Sequence, residues 1–266
     1  MTTKQVIISV SIFVLQAFTL NVSFSKEHSP SPMSVQQEGQ DKALLRAVVT
    51  NKLPDLQRLL DDGANPNAIA QDKNRRSALI LATATGRVKM VKALLSSGAD
   101  VNYKDSAGLA ALNWSAMRNK TNVASQLLIW QADVNTQDNN GVTPLMYAVG
   151  TANRQLLQQL ATNGADLNAV SQPTKMTPLL VAVEQGDKGS AMLLLKLGAN
   201  VNASNHEGYT PLMAAAESGQ HEMLKMLVTQ GAKYTLKDAK GMSAMHYAQK
   251  NRHMKIDQFL QSLQNN

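Results

Sequence analysis

Side chains able to do chemistry are sparse in this chain, and their spacing is the first constraint on its function. Among 266 residues there is no cysteine, so thiolate nucleophiles, thiolate metal sites, disulfides and acylated cysteine anchors are all excluded. The five histidines are His28, His206, His221, His246 and His253. His246 and His253 stand seven residues apart, without the His-Glu-x-x-His pattern or carboxylate cluster that a metal site needs. No glycine-rich phosphate loop and no serine-centred elbow occurs. The aspartates recur at fixed places instead: Asp100, Asp133 and Asp166 in Ala-Asp turns, and Asp105, Asp138 and Asp238 three residues ahead of Gly108, Gly141 and Gly241. An aspartate in such a stretch bonds its own backbone and builds turns. These residue types argue against an enzyme, a resident metal or a cofactor.

The elements that carry these residues repeat. Gly-Ala followed by Asp or Asn and then Asn starts at Gly63, Gly98, Gly164 and Gly198, with weaker copies at Gln131 and Gly231, so successive starts are 33 to 35 residues apart. Thr-Pro-Leu starts at Thr143, Thr177 and Thr210, 34 and 33 residues apart, with weaker copies at Ser77, Ala110 and Ser243. Two interleaved markers on one period define a repeat architecture. Within one unit, Thr143 caps a helix and Pro144 takes its first position, where a missing N–H is harmless. A second helix follows, with apolar pairs such as Met90/Val91 and Leu94/Leu95, and glycine ends it in the left-handed conformation.

The stretch Asp138-Asn139-Asn140-Gly141-Val142-Thr143-Pro144-Leu145-Met146-Tyr147-Ala148, with the Gly-Ala-Asp-x-Asn turns, resembles the ankyrin repeat. The resemblance implies an all-α solenoid of about seven helix-turn-helix repeats with hairpin-like finger loops, at about residues 41–71, 72–104, 105–137, 138–171, 172–204, 205–237 and 238–263. The family's usual histidine after Thr-Pro-Leu survives only as His246, so the other repeats are expected to lean on packing. The third repeat departs furthest. Ala110 cannot cap its helix, and Gln131 stands where glycine belongs, at about 1 kcal/mol and about 1–2 kcal/mol respectively. Residues 106–138 are therefore expected to be the softest internal segment, between terminal repeats that act as caps.

The resemblance also implies a non-enzymatic protein-binding module that works through a concave face of finger tips and first helices. Carried over position by position, its variable contacts fall on finger residues Lys73, Asn74, Arg76, Ser106, Leu109, Asn139, Asn140, Val142, Thr174, Met176, His206, Glu207, Tyr209, Lys240 and Met242. On the first helices they fall at Met117, Arg118, Glu184, Gln185, Glu217, Lys250 and Asn251, with Trp114 nearby. The apolar members plus Arg118 (Leu109, Trp114, Met117, Val142, Met176, Tyr209 and Met242) make a candidate partner-binding patch, since interface centres are rich in aromatics, Met and Arg. The other reading is that Trp114 and the methionines fill gaps between repeats. On the first reading, Ala at Tyr209 and Arg118 leaves the melting curve intact and weakens capture.

Composition frames these expectations. Aromatics are only 4% of residues, against 44% hydrophobic overall, which speaks against an aromatic-walled ligand pocket. Residues 6–20 are apolar, short for a permanent anchor of about 20 residues and suited to a secretory signal cut at about Ser25, with an uncleaved N-terminal anchor as the alternative. Residues 26–40, rich in Ser, Pro and Gln, read as a flexible tether before the repeat domain at 41–266. The net charge is +7, and after Met223 seven Lys/Arg stand against Asp238 and Asp257, read as a solvated basic end without the aromatic-interleaved pattern of a nucleic-acid module. The expected setting is the periplasm or the exterior, as an accessory, protective or immunity-type protein binding one protein client. A secreted effector is the alternative, and an enzyme on a repeat scaffold the third.

Overall fold

The structure is a computed structural model that describes residues 32–264. The expected signal, residues 1–25, lies outside the described residues. Among them are fourteen helices: α1 (Pro32–Val49), α2 (Leu53–Asp61), α3 (Ala78–Ala84), α4 (Val88–Ser96), α5 (Ala111–Met117), α6 (Thr121–Ile129), α7 (Pro144–Gly150), α8 (Arg154–Thr162), α9 (Pro178–Glu184), α10 (Lys188–Lys196), α11 (Pro211–Glu217), α12 (His221–Thr229), α13 (Ala244–Lys250) and α14 (Met254–Gln264). No strand is present among the described residues, only an isolated antiparallel bridge between Ile69 and Ser77. The fold is the all-α repeat array expected.

The helix starts follow the Thr-Pro-Leu chemistry. Thr143, Thr177 and Thr210 each sit in extended backbone and accept from the amide three residues on, at 3.3, 3.2 and 3.3 Å, while proline opens the helix. Ser77 does the same for Ile80 at 3.2 Å. Ala110 holds the same backbone shape (φ −84°, ψ 171°) with no acceptor to offer. Its amide is rescued from the other side, because Asn113 Oδ1 accepts from Ala110 N at 3.1 Å. Asn113 Nδ2 also reaches Thr136 O at 3.4 Å, so a side chain in the family's histidine place keeps a polar tie where packing alone was expected. His246 works alike, its Nδ1 accepting from Ser243 N at 3.2 Å.

One difference lies at the start. Residues 32–40, read as tether, form the first half of α1. Glu and Gln are good helix formers, and side chains four apart tie this turn together through Lys42–Glu38 and Gln37–Asp41 bonds of 2.6 and 2.9 Å.

The described chain divides after Asn139 into two compact units. In the unit ending at Asn139, α1, α3 and α5 pack side by side as one row and α2, α4 and α6 as another. In the unit from Asn140 on, α7, α9, α11 and α13 form the corresponding first-helix row. Leu44, Leu56, Ile80, Leu94 and Leu127 are fully buried in the former, and Leu145, Leu157, Leu194, Leu212 and Leu224 in the latter. Each such side chain contributes about 1.5–3 kcal/mol.

The last Asn of each Gly-Ala-x-x-Asn marker has a structural task. Asn67, Asn102, Asn168 and Asn202 each accept, through Oδ1, the amide of Asp100, Asp133, Asn200 and Lys233 at 2.7–2.8 Å. That links one repeat to the next at a constant step. Neighbouring finger loops are tied by single backbone bonds, Ser106 N to Asn74 O at 3.0 Å and Asn139 N to Ala107 O at 3.1 Å. Asp100, Asp133 and Asp166 accept from the amides of Asn102, Asn135 and Asn168 at 2.9 Å, as turn aspartates should.

Candidate functional site

A polar cluster recurs in both units on one sequence rule: a finger aspartate and an aromatic donor nine residues later. Asp105 Oδ1 accepts the amides of Ala107 and Leu109 at 2.9 and 3.0 Å, and its Oδ2 accepts Trp114 Nε1 at 2.9 Å. Asp238 Oδ1 accepts the amides of Lys240 and Met242 at 2.9 and 2.8 Å, and its Oδ2 accepts Tyr247 OH at 2.6 Å. Both aspartates are buried, so each closes its finger and docks it onto the following first helix. Burial pushes the Asp238 carboxyl up, but the bonds from Tyr247 and the two amides outweigh it and hold the group below its usual range.

What lies over the aromatic differs between the units. Two guanidiniums stack on Trp114, Arg76 at 4.7 Å and Arg118 at 5.4 Å from the ring centroid. Arg76 precedes the cap of α3, and Arg118 ends α5. Desolvation lowers the Arg118 pKa, and the like charge of Arg76 adds to it. Tyr247 instead meets the edge of Tyr209 at 5.3 Å and 82°. Tyr209 OH donates to Glu217 Oε2 at 2.5 Å, at the end of α11. Glu184, at the end of α9, is pushed up to about 7 by burial first and by the charge of Glu217 second. Its Oε1 is buried with no donor. Burial raises Tyr209 too, reinforced by its bond to Glu217.

The candidate patch is placed as follows. Leu109, Trp114, Met117, Met176 and Tyr209 are buried, at 7, 2, 5, 6 and 6% exposure, while Arg118, Val142 and Met242 are half-buried. Trp114, Arg118 and Leu109 come together around Asp105; Met242 and Tyr209 belong to the Asp238 and Glu217 clusters. Leu109, Met117 and Met176 therefore stand as packing, and the donors of Trp114 and Tyr209 are already used. Tyr209→Ala is expected to disturb the fold, contrary to the intact melting curve anticipated from sequence. Sequence reasoning missed the aspartate partners, although the nine-residue offset from Asp105 to Trp114 and from Asp238 to Tyr247 was there to read. It also missed Trp130, 43% exposed beside Ile129 at 70%, on a groove lined by Leu53, Gln57, Lys89 and Lys92.

The histidines do not converge. His206 Nδ1 meets Thr174 O, His253 Nε2 meets Glu217 O, and His221 packs edge-on to Phe259. His28 is outside the described residues. Among those described, no group of three His, Asp or Glu side chains is placed to hold a metal ion. No described helix is long and apolar enough to cross a membrane.

The family described as "Ankyrin repeats (3 copies)" matches residues 20–105, 103–171, 150–238 and 194–266. The chain belongs to the ankyrin-repeat family. The crystal structure of the Bcl-3 ankyrin repeat domain superposes with a TM-score of 0.74 at 28% identity, covering 80% of this chain and 96% of that one. The human ASB11 ankyrin repeat domain gives 0.68 at 28% identity, with the same coverages. Among curated relatives, the mouse B-cell lymphoma 3 protein homolog is 28% identical over 62% of this chain and 30% of its own length. The Drosophila melanogaster palmitoyltransferase Hip14 is 26% identical over 49% of this chain but only 15% of its own. This ankyrin chain thus spans under a third of these curated relatives. Ankyrin arrays are interaction scaffolds whose repeats present extended surfaces to partners.

Proposed function

We propose that this ankyrin chain is a non-enzymatic module that binds one protein client, as an exported accessory, protective or immunity-type protein of the periplasm. The observation that carries the binding role is the set of charged groups at the ends of the first helices. Arg118, Glu184 and Glu217 are part-exposed, and the fold leaves the Glu184 Oε1 and Arg76 Nε atoms buried without partners. Buried polar atoms that folding leaves unmatched are costly unless a partner completes them. Each unit carries its own polar group: Arg76 and Arg118 over the buried Trp114 in the one, and Glu184 and Glu217 near the buried Tyr209 in the other. Export rests on the short apolar stretch at residues 6–20 ahead of the serines at 23 and 25. The palmitoyltransferase likeness brings no activity, since only 15% of that relative aligns.

Producing the full chain with a C-terminal tag in a bacterial host and fractionating it tests both halves. Recovery from the osmotic-shock fraction, with a new N-terminus near residue 26, supports export; a chain found only in the cytosol removes it. Affinity capture from the same fraction should enrich one protein in stoichiometric amount. Recovery chiefly from the culture medium favours the secreted-effector alternative instead.

A further inference from the structure

Of the two tryptophans, Trp114 is used by the fold and Trp130 is not. Trp114 is buried and gives its N–H to Asp105. Trp130 follows the last turn of α6, stands 43% exposed, and has no acceptor for its indole N–H among the described residues. It borders a groove of about 550 Å³, confined to the unit ending at Asn139, where α2, α4 and α6 pack side by side. Helical spacing explains the groove. On α4 the outward stripe is Lys89, Lys92, Ala93 and Ser96, at i, i+3, i+4 and i+7, and its second half is small. The flanking helices carry longer side chains one turn apart, Leu53 and Gln57 on α2 and, from α6, Gln126 and Trp130. Ala93 and Ser96 thus make a floor between taller walls. Lys89 and Lys92 are both exposed and have no acidic partner among the described residues. Helices α4 and α6 carry no carboxylate, and Asp55 and Asp61 of α2 do not line the groove.

We propose that this groove docks an acidic segment of a protein partner, with an apolar side chain seated on Ala93 between Leu53 and Trp130 and flanking Asp or Glu side chains on Lys89 and Lys92. Charge selects the occupant. A groove with two cations, no anion and an aromatic wall complements a segment that brings carboxylates and one apolar anchor. The indole N–H of Trp130 is left to meet a carbonyl of that segment. An anionic bilayer fits less well, because interfacial binding inserts an apolar face that projects, whereas the apolar floor here is recessed between two helices. The groove belongs to second helices, while the charged groups that carry the client-binding reading end the first helices. This inference therefore goes beyond that reading and stands or falls without it.

The test reads Trp130 emission in the chain alone, with the buried Trp114 as a constant background. The probes are acetyl-Glu-Glu-Leu-Leu-Glu-Glu-amide, its counterparts with Gln or Lys in place of Glu, and phosphatidylglycerol vesicles, all at fixed ionic strength. A saturable blue shift with the Glu peptide is expected, with the Gln peptide binding about tenfold more weakly. Trp130→Phe should abolish the signal. Lys89→Glu combined with Lys92→Glu should weaken the Glu peptide about tenfold and make the Lys peptide the better ligand. Circular dichroism checks that these exposed substitutions leave the fold intact, and the Glu-against-Gln comparison on the parent decides the matter even if they do not. Equal binding of the Glu and Gln peptides overturns the proposal, as does a Glu-peptide signal that survives Trp130→Phe. A shift with vesicles and none with the Glu peptide overturns it in favour of a membrane.

Discussion

The Trp114 and Tyr247 clusters are built on the same frame and finished differently. Each has a finger aspartate that takes two backbone amides on one oxygen and an aromatic donor on the other. Above Trp114 the neighbouring positions carry arginines; around Tyr247 they carry Tyr209, Glu217 and, further on, Glu184. The frame belongs to the fold and the finish is free to vary. A repeat array thus holds its geometry with a few obligatory groups while each unit presents its own charge: two cations in one, a carboxylate pair in the other.

The largest expected effect breaks the frame where it carries most buried volume. Trp114→Ala removes a side chain 2% exposed, strips Asp105 Oδ2 of its donor and leaves two arginines without a platform. Loss of about 3–5 kcal/mol in urea unfolding is expected. Tyr247→Phe, which deletes only the hydroxyl over Asp238, should cost about 1–2 kcal/mol. Equal losses would mean that the two clusters are not the same device.

Glycines three residues after the two aspartates sharpen the contrast. Gly108 (φ +78°) leaves a Cβ no room: it would stand 2.5 Å from Asn139 Oδ1 and 2.7 Å from Asn139 N, in the next finger. Gly241 (φ +72°) belongs to the last finger and has nothing within 4 Å. Gly241→Ala therefore carries only left-handed strain, about 1–2 kcal/mol. Gly108→Ala adds a backbone clash and should cost clearly more, about 3 kcal/mol. Thermal melts of the two single variants measure the difference, and a smaller loss at Gly108 would show that fingers are not stacked in contact there.

The carboxylate pair makes a prediction in the opposite direction. Glu184 has a folded pKa of about 7 against an ordinary 4.5, through burial first and Glu217 second. The folded state then binds this proton more tightly than the unfolded one. Stability from this group is fully present below about pH 4.5 and is lost as pH rises towards 7. At pH 8 Glu184→Gln should stabilise the chain by about 1–2 kcal/mol, and by much less at pH 4.5. Unfolding curves at both pH values decide it; a variant that is destabilised at pH 8 would show that the charge is compensated.

The fold was legible because its signals are local and repeated. Thr143, Thr177 and Thr210 cap as their type and the following proline dictate, and the marker asparagines recur because each bonds the next repeat at a constant step. The site was only half legible. Arg76, Arg118, Glu184 and Glu217 fall on positions carried over from the family, yet hydrophobicity drew the centre of the patch to Trp114 and Tyr209. Their burial depends on Asp105 and Glu217, which reach them through three-dimensional packing. An aromatic at a variable position looks the same in sequence whether its polar tip faces water or an aspartate.

The smallest effect concerns the third repeat, whose expected softness rests on residue type rather than geometry. Gln131 adopts φ +59° where other repeats place Gly63, Gly98, Gly164, Gly198 and Gly231 at +84° to +103°. It is exposed, so no packing repays the left-handed backbone. Gln131→Gly should stabilise by about 1 kcal/mol, the strain relieved being partly offset by glycine's greater unfolded-state entropy. Amide exchange gives the spatial reading: protection should rise through residues 106–138 and little elsewhere, because repeat stabilities couple mainly to their neighbours. If the parent chain already protects 106–138 as well as residues 210–229, the third repeat is not the soft one. Asn113, bonded to Ala110 N and Thr136 O, would then be the group that compensates for the missing cap.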